Sequence, residues 1–136
     1  MMVMCINNKL NNNSFNIETG KKYIVYSIIM WGKTLDYLII DEGLKNPSWY
    51  PAQLFKVTNP LLPFMWFFTF DKYKNYKGEE CEKVIYGYKE MIFDSEHYIS
   101  VIEEKPEALS IFFKRKKQID EYDDLCKMSI APEMKY

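Results

Sequence analysis

The single histidine is the first residue to weigh for chemistry, because many acid–base and nucleophilic sites are built around an imidazole. His97 is the only histidine among 136 residues, so a Ser-His-Asp or Cys-His arrangement has to include it. No serine lies in a nucleophile-elbow motif, and no cysteine lies near it in the sequence. The first turn of a predicted helix would lower its pKa through the positive end of the helix dipole. We therefore predict a surface or helix-entry histidine without a catalytic role.

Carboxylates, glycines and lysines indicate no other kind of active site. Glu103 and Glu104 are adjacent in the sequence and point away from each other on a helix, which does not suit a paired-carboxylate device. The five glycines are isolated, so a glycine-rich phosphate loop is absent. The basic run at residues 114–117 lacks interleaved aromatic residues and favours a solvated helix end. The sequence predicts a protein that is not an enzyme and has no catalytic residue.

Cysteine usage bears on metal binding and on the cellular compartment. The three cysteines form no C-x-x-C motif and have no nearby histidine, which argues against a zinc site and a disulfide framework. No signal peptide is evident, and the longest apolar run, residues 61–68, contains a proline and is far too short to span a membrane. We predict a cytoplasmic protein with no metal, no cofactor and no membrane association.

Composition predicts one folded domain, because 48% of the residues are hydrophobic and 17% are aromatic. The formal net charge of −1 gives no global electrostatic reason to bind nucleic acid. Charge is nevertheless clustered, since residues 79–107 hold nine acidic and three basic side chains. Such a block is either a solvated surface or an acidic face complementary to a basic partner.

The first third of the chain consists of short β-type runs separated by polar turns. Gly20 and Gly32 suit the turns before and after the second run, because glycine adopts positive φ without steric cost. Residues 7–16 are rich in asparagine and are predicted to form an irregular loop. We predict strands over residues 3–6, 23–30 and 35–40, followed by a short strand at residues 49–50.

This series resembles the small SH3-like barrels found in many bacterial and phage-encoded proteins. The resemblance covers residues 3–57 and rests on the segment Thr-Gly-Lys-Lys-Tyr at 19–23, Ile-Ile-Asp at 39–41 and Trp-Tyr-Pro at 49–51, followed by Leu-Phe-x-Val. It implies an antiparallel barrel and says little about activity. The acidic loop and paired tyrosines that bind polyproline in signalling SH3 domains are not recognisable, so proline-peptide binding is not implied.

The segment after the predicted barrel is strongly aromatic. Residues 64–70 contain five aromatic side chains in seven positions. They are predicted to form a strand that is buried on both faces or covered by the C-terminal helices, and the alternative is an exposed patch for a partner. Residues 71–82 are charged and predicted to be a loop. Residues 84–92 form either a last strand or an irregular approach to a helix, because Gly87 weakens both interpretations.

Two C-terminal helices complete the predicted fold. Asp94 or Ser95 is a suitable N-cap for the first, and Pro106 suits the first position of the second. The predicted class is therefore α+β, with a small SH3-like antiparallel β-barrel followed by an aromatic strand and two helices. Its parts are the barrel at residues 1–58, the aromatic strand with its helical cap packed as one unit at residues 59–125, and a flexible tail at residues 126–136.

Without a catalytic constellation, the leading functional prediction is a non-enzymatic protein-binding module. Its sharper form is an immunity-like inhibitor of a cognate bacterial toxin, in which acidic residues steer a basic toxin domain and aromatic residues anchor it. The chain is also similar in overall look to single-domain proteins from polymorphic-toxin and phage neighbourhoods. The candidate partner-binding residues are Trp49, Tyr50, Trp66, Glu103 and Glu104. For Trp49 and Tyr50, packing beneath the last barrel turn is the alternative.

A second functional prediction comes from another class of protein. A nucleic-acid-associated or phage regulatory SH3-like module would bind through Lys72, Lys74 and Lys77 or through residues 114–117, with steep salt dependence. The balanced charge of the chain makes this reading secondary to protein binding.

Overall fold

A computed structural model describes residues 1–41 and 43–128, and it combines antiparallel sheets with three α-helices. The predicted α+β class is confirmed. The strands are β1 (Met2–Cys5), β2 (Lys9–Leu10), β3 (Asn13–Ser14), β4 (Lys22–Ile24), β5 (Ser27–Trp31), β6 (Thr34–Ile39), β7 (Ser48–Pro51), β8 (Phe55–Asn59), β9 (Phe67–Lys74) and β10 (Glu80–Gly87). The helices are α1 (Lys89–Phe93), α2 (His97–Ile102) and α3 (Pro106–Met128), and a 3-10 turn covers Ala52–Leu54.

The strands form three sheets, and within residues 1–41 and 43–128 none of them closes into a barrel. A three-stranded sheet has the order β4-β1-β8, a five-stranded sheet the order β7-β6-β5-β10-β9, and β2 and β3 form a small hairpin. The strand predicted at residues 23–30 is divided between the first two sheets. The amide of Val25 donates to the Met1 carbonyl, whereas the amide of Tyr26 donates to the Leu38 carbonyl. Successive amides thus bond to different sheets, and the chain bends between them.

The turns predicted from glycine are present, but the asparagine-rich segment forms a regular hairpin and not the predicted irregular loop. Gly20 and Gly32 have φ values of 88° and 58°, and Gly32 joins β5 to β6. Residues 7–16, predicted to be irregular, instead contain the β2–β3 hairpin. Asn11 and Asn12 adopt φ values of 49° and 66°, as a two-residue hairpin turn requires, and asparagine tolerates this conformation better than most residues.

The aromatic strand begins later and extends further than predicted. It runs from Phe67 to Lys74 as β9, and β10 returns from Glu80, so most of the predicted 71–82 loop is a hairpin. The Asn75 side chain explains the turn, because its Oδ1 accepts from the amides of Lys77 at 2.9 Å and Glu79 at 3.0 Å. An asparagine that bonds its own backbone two residues on is a strong turn former.

Both predicted helices are present, and a short helix precedes them. α1 follows β10 directly, so the second half of the 84–92 segment is helical rather than a strand. α3 begins at Pro106 as predicted. It continues to Met128, so residues 126–128, predicted to be part of the tail, are helical. The remainder of the predicted tail lies outside the described residues.

Two hydrophobic cores lie on opposite faces of the five-stranded sheet. Tyr37 and Ile39 of β6 face one core, and Leu38 between them faces the other, as the alternation of a strand requires. The first core lies between the sheets and comprises Val3, Cys5, Ile17, Tyr23, Val25, Tyr37, Ile39, Tyr50, Leu54 and Phe55. The second lies beneath the helices and comprises Tyr26, Ile29, Leu38, Ile85, Tyr88, Met91, Phe112 and Ile119.

Candidate functional site

The side of the five-stranded sheet that faces the first core continues beyond it onto β10 and β9. Side chains directly opposite each other on paired strands lie on the same face. Two rows of such residues cross the sheet. From β9 inwards they are Phe70, Val84, Met30 and Leu35, and Phe68, Tyr86, Ile28, Tyr37 and Tyr50. The inner end of the second row is buried in the first core, and its outer end is open.

The uncovered part of these rows is here called the aromatic face. Phe68 is 54% exposed and Phe70 is 49% exposed, although each stands in a strand. The rings of Phe68 and Tyr86 lie 4.9 Å apart between centroids, so the exposed side chains form one contiguous surface. Large contiguous apolar surfaces are uncommon on monomeric proteins and mark interaction sites. The aromatic face consists of Met30, Leu35, Phe68, Phe70, Val84 and Tyr86.

The same region ends in an open strand edge. β9 is the last strand of its sheet and pairs only with β10 among the described residues. The amide of Asn75 donates to the Glu79 carbonyl, and this pair continues the register of the hairpin. Because bonding alternates along an antiparallel ladder, Phe68 and Phe70 direct their backbone groups to the open edge. An open edge beside an apolar face can accept both a partner's backbone and its side chains.

A charged border separates the aromatic face from the hairpin tip. Lys72 lies opposite Glu82, and Lys74 lies opposite Glu80, on the same side of the sheet as Phe70. The Nζ of Lys72 also lies 3.7 Å from Oε1 of Glu80. An apolar centre with a polar rim is the usual composition of a protein–protein interface.

The aromatic residues predicted from sequence to contact a partner lie elsewhere. Tyr50 is 5% exposed and belongs to the first core. Trp49 packs against Tyr98 of α2 with 5.3 Å between ring centroids, and Trp66 packs against both cores. Neither indole nitrogen is exposed. Tyr50 is thus buried and Trp49 half-buried, as the packing alternative has it, and Trp66 is also half-buried. Contact of these three residues with a partner stays a prediction.

The buried interpretation of the aromatic strand is also wrong. Phe67, Phe68 and Phe70 are all between 44% and 54% exposed. Within residues 1–41 and 43–128, the side that carries Phe68 and Phe70 is open, and α2 contacts Trp31 through Tyr98 on the opposite side. The exposed-patch alternative describes this strand.

The acidic block does not form one surface. Glu90 accepts two hydrogen bonds from Arg115, at 2.6 and 2.8 Å, and this contact lowers the pKa of Glu90. Glu103 pairs with Lys105 at 3.2 Å. Glu104 is exposed at the turn between α2 and α3, where its φ is 58°. Glu103 and Glu104 thus stand on the helical side of the sheet, away from the aromatic face.

The basic run at residues 114–117 is partly neutralised. Arg115 is engaged by Glu90, and Lys116 contacts Asp120 at 2.6 Å. Paired cations release fewer counterions on meeting a phosphate backbone than free ones do. The run therefore supplies little of the basic surface that the nucleic-acid reading needs.

His97 starts α2 as predicted, but it is buried rather than at the surface. Its Nε2 lies 2.7 Å from the hydroxyl of Tyr88, and only 2% of the residue is exposed. Burial is the main cause that lowers the pKa of His97, and it raises the pKa of Tyr88. The pair is a satisfied polar contact in the core beneath the helices.

Comparisons with known proteins give no relative. A scan against models of protein families finds no matching family, and searches of curated proteins and of solved structures find no match. Among the described residues, no helix is long and apolar enough to cross a membrane. In that same part of the chain, no group of three or more His, Cys, Asp or Glu residues is placed to hold a metal ion.

Two of the six residues of the aromatic face could be found from the sequence. The run at residues 64–70 contains Phe68 and Phe70. Sequence reasoning missed Tyr86 and Leu35, which stand on other strands. The alternation of Val84 and Tyr86 along β10 was the available signal, but only the strand register places these residues beside Phe68 and Phe70.

Proposed function

We propose that this protein is a non-enzymatic protein-binding module and that the aromatic face is its contact surface. The observation that carries the proposal is the uncovered apolar continuation of a core-facing sheet surface, beside an open strand edge. Phe68, Phe70 and Tyr86 would supply the desolvated aromatic anchors that dominate binding energy in protein interfaces. Lys72 and Glu82 would contribute to the polar rim.

We also propose that residues 1–58 form an open, SH3-like barrel of two separate sheets, to which the β9–β10 hairpin is added. The strand order supports this reading, because β1 pairs with β4 and β8 while β5, β6 and β7 form a meander. The bend between Val25 and Tyr26 lets one long strand serve both sheets. The 3-10 turn at Ala52–Leu54 joins β7 to β8 and so connects the two sheets.

The sharper form of the proposal is an immunity-like inhibitor that binds a basic toxin domain in the cytoplasm. Its support is the pair of exposed acids Glu103 and Glu104. These acids would accelerate association with a basic partner over a distance rather than contact it at the aromatic face.

The test is a pull-down of the tagged protein from its native lysate, read by mass spectrometry with and without nuclease. We expect one stoichiometric protein partner that survives nuclease and is lost from the Phe68→Ser/Phe70→Ser variant. Tyr76→Ser is the matched control, because Tyr76 is 93% exposed at the tip of the same hairpin but lies off the aromatic face. Equal recovery by all three proteins contradicts the proposed surface, and recovery of nucleic acid alone contradicts protein binding.

The same partner tests the inhibitor form. Glu103→Lys/Glu104→Lys should lower the association rate at low salt and leave the dissociation rate nearly unchanged, because rim and remote charges act mainly on encounter. An unchanged association rate at low salt would remove the steering role of these acids while leaving the aromatic face as the contact surface.

A further inference from the structure

A cavity lies between the β4-β1-β8 sheet and α3, away from the aromatic face. The cavity has a volume of about 490 Å³, within the range of ligand clefts. Successive residues of β4 line it, since Lys22, Tyr23 and Ile24 all contribute. The cavity therefore runs along the edge of β4 and not over one of its faces. Its apolar lining is Met2, Ile24, Ile40, Leu44 and Phe113.

The edge of β4 that borders the cavity is open. β4 is an outer strand and pairs only with β1 in the described part of the chain. The Cys5 amide donates to the Lys21 carbonyl, and the Val25 amide donates to the Met1 carbonyl. These bonds fix the alternation, so Lys22 and Ile24 direct their backbone groups away from β1 and towards the cavity. Neither residue has another backbone partner among the described residues.

On each wall of the cavity, one aspartate accepts several hydrogen bonds from neighbouring residues. Next to β4, Asp41 accepts from the Tyr23 hydroxyl at 3.0 Å, from Lys21 at 3.2 Å and from the Gly43 amide at 3.2 Å. These hydrogen bonds, led by the Gly43 amide, lower the pKa of Asp41. This wall is preformed and its carboxylate is already satisfied.

The opposite wall repeats the same chemistry on α3. Asp120 accepts from the Tyr26 hydroxyl and from Lys116, both at 2.6 Å. Lys116 also lies 5.4 Å from the centre of the Tyr26 ring. Both carboxylates that line the cavity are therefore paired with a lysine.

Lys22 is the exception to this charge balance. It lines the cavity, it is exposed, and it has no carboxylate partner among the described residues. Its side chain shares a face of β4 with Ile24, two residues along the strand. The cavity thus offers a partner the unpaired backbone edge of β4, the ammonium group of Lys22 and an apolar lining.

We propose that this cavity binds an extended peptide that adds as a strand to β4 and carries an acidic residue opposite Lys22. Cross-strand partners lie on the same face, so an aliphatic residue two positions from the acid would pack against Ile24 and Phe113. The site is separate from the aromatic face, and the inference goes beyond the proposed function and stands without it.

The test selects a displayed library of random heptapeptides on the whole protein. We expect enriched sequences with Asp or Glu two positions from an aliphatic residue. A synthetic copy of the strongest sequence should shift the amide signals of Lys22 and Ile24 in nitrogen–proton correlation spectra. Lys22→Glu should weaken its binding at least about fivefold, because an attraction becomes a repulsion. Lys56→Glu is the matched control, since Lys56 is exposed on β8 at the other edge of the same sheet.

Backbone pairing is tested by modifying the peptide, because the protein and its folding then stay unchanged. Methylating the peptide nitrogens that face β4 should weaken binding about tenfold for each lost hydrogen bond. The Phe68→Ser/Phe70→Ser variant should bind the peptide as the unmodified protein does. No enriched sequence, equal binding by Lys22→Glu, or equal binding of the methylated peptide each overturns the proposal. Equal binding of the methylated peptide would indicate that its acidic side chain is recognised without strand addition.

Discussion

The Tyr88–His97 pair shows how one buried contact decides the character of the only histidine. Tyr88 is 1% exposed and its hydroxyl lies 2.7 Å from Nε2 of His97. Charging the imidazole in this position costs free energy, because burial removes the water that would solvate it. His97 therefore acts as a neutral core residue at the start of α2, and its contribution to stability depends on pH.

We expect the free energy of unfolding to fall as pH decreases from 7.5 to 5.5. The unfolded imidazole takes up a proton near its ordinary pKa of about 6.5, whereas burial lowers the pKa of His97 in the folded protein. The unfolded state then binds more protons, and stability is lost below about pH 6.5 until the folded pKa is reached. Urea titrations of the wild type and of His97→Gln across this range measure the effect.

The difference between the two proteins isolates the histidine, because other titrating groups contribute equally to both. Glu90 has a lowered pKa, so its contribution is lost only at lower pH, through the range below its unfolded value of about 4.5. A wild-type pH dependence that His97→Gln retains in full would contradict the assignment to His97.

At the scale of elements, Gly87 sets how closely β10 approaches its neighbours. The Oγ of Ser27 on β5 donates to the carbonyl of Tyr86 at 2.7 Å. A Cβ at position 87 would lie 2.6 Å from that Oγ and 3.3 Å from the Cβ of Met91 on α1. The glycine that made the 84–92 segment ambiguous in the sequence is thus the point where a strand, its neighbour and a helix meet.

Gly87→Ala should lower the free energy of unfolding by about 1–3 kcal/mol, as overpacking of a close contact does. Adding Ser27→Ala removes the hydroxyl that clashes, so the double variant should be more stable than the sum of the two single changes predicts. Urea unfolding of the four proteins measures this coupling.

Gly43→Ala is the matched control for this prediction. The nearest atom to a Cβ at position 43 is a side-chain oxygen of Asp41 at 3.9 Å, which is an ordinary contact. Its substitution should change stability little. Strictly additive effects of Gly87→Ala and Ser27→Ala would show that the predicted clash does not control the packing of β10.

The whole molecule is organised around a sheet that is shared by two cores. Ile29 and Leu38 face the helices, and Tyr37 and Ile39 face the first sheet. Removing either layer would expose apolar side chains of the same strands. The predicted barrel and its helical cap therefore depend on each other for stability, and we expect them to unfold together.

A single cooperative transition should result, with coincident denaturation curves from tryptophan fluorescence and far-ultraviolet circular dichroism. Phe112→Ala opens the second core and Leu54→Ala opens the first; both side chains are at most 1% exposed. Each substitution should lower the free energy of unfolding by about 2–5 kcal/mol. The transition midpoint should then fall equally for both probes. A variant that splits the curve into two steps would show that the two cores unfold independently.

Particular residues explain how far the sequence determined the fold. Gly20 and Gly32 located turns, and Pro106 located a helix start, because each signal is local and acts through backbone geometry. The Asn11–Asn12 turn and the Asn75 turn were missed, although their chemistry is equally local. The absence of a catalytic constellation, inferred from composition and spacing, stays a prediction.

Only the tertiary structure decided which faces of the strands are exposed to solvent. Alternation along β9 and β10 indicates which side chains share a face, but a face is buried only if a second layer covers it. The first sheet covers Tyr37 and Tyr50 and stops before Phe68 and Phe70. The opposite case is His97, which was predicted at the surface or at a helix entry and which lies buried beside Tyr88 at the start of α2. Local sequence fixes the elements, whereas burial depends on contacts between residues far apart in the chain.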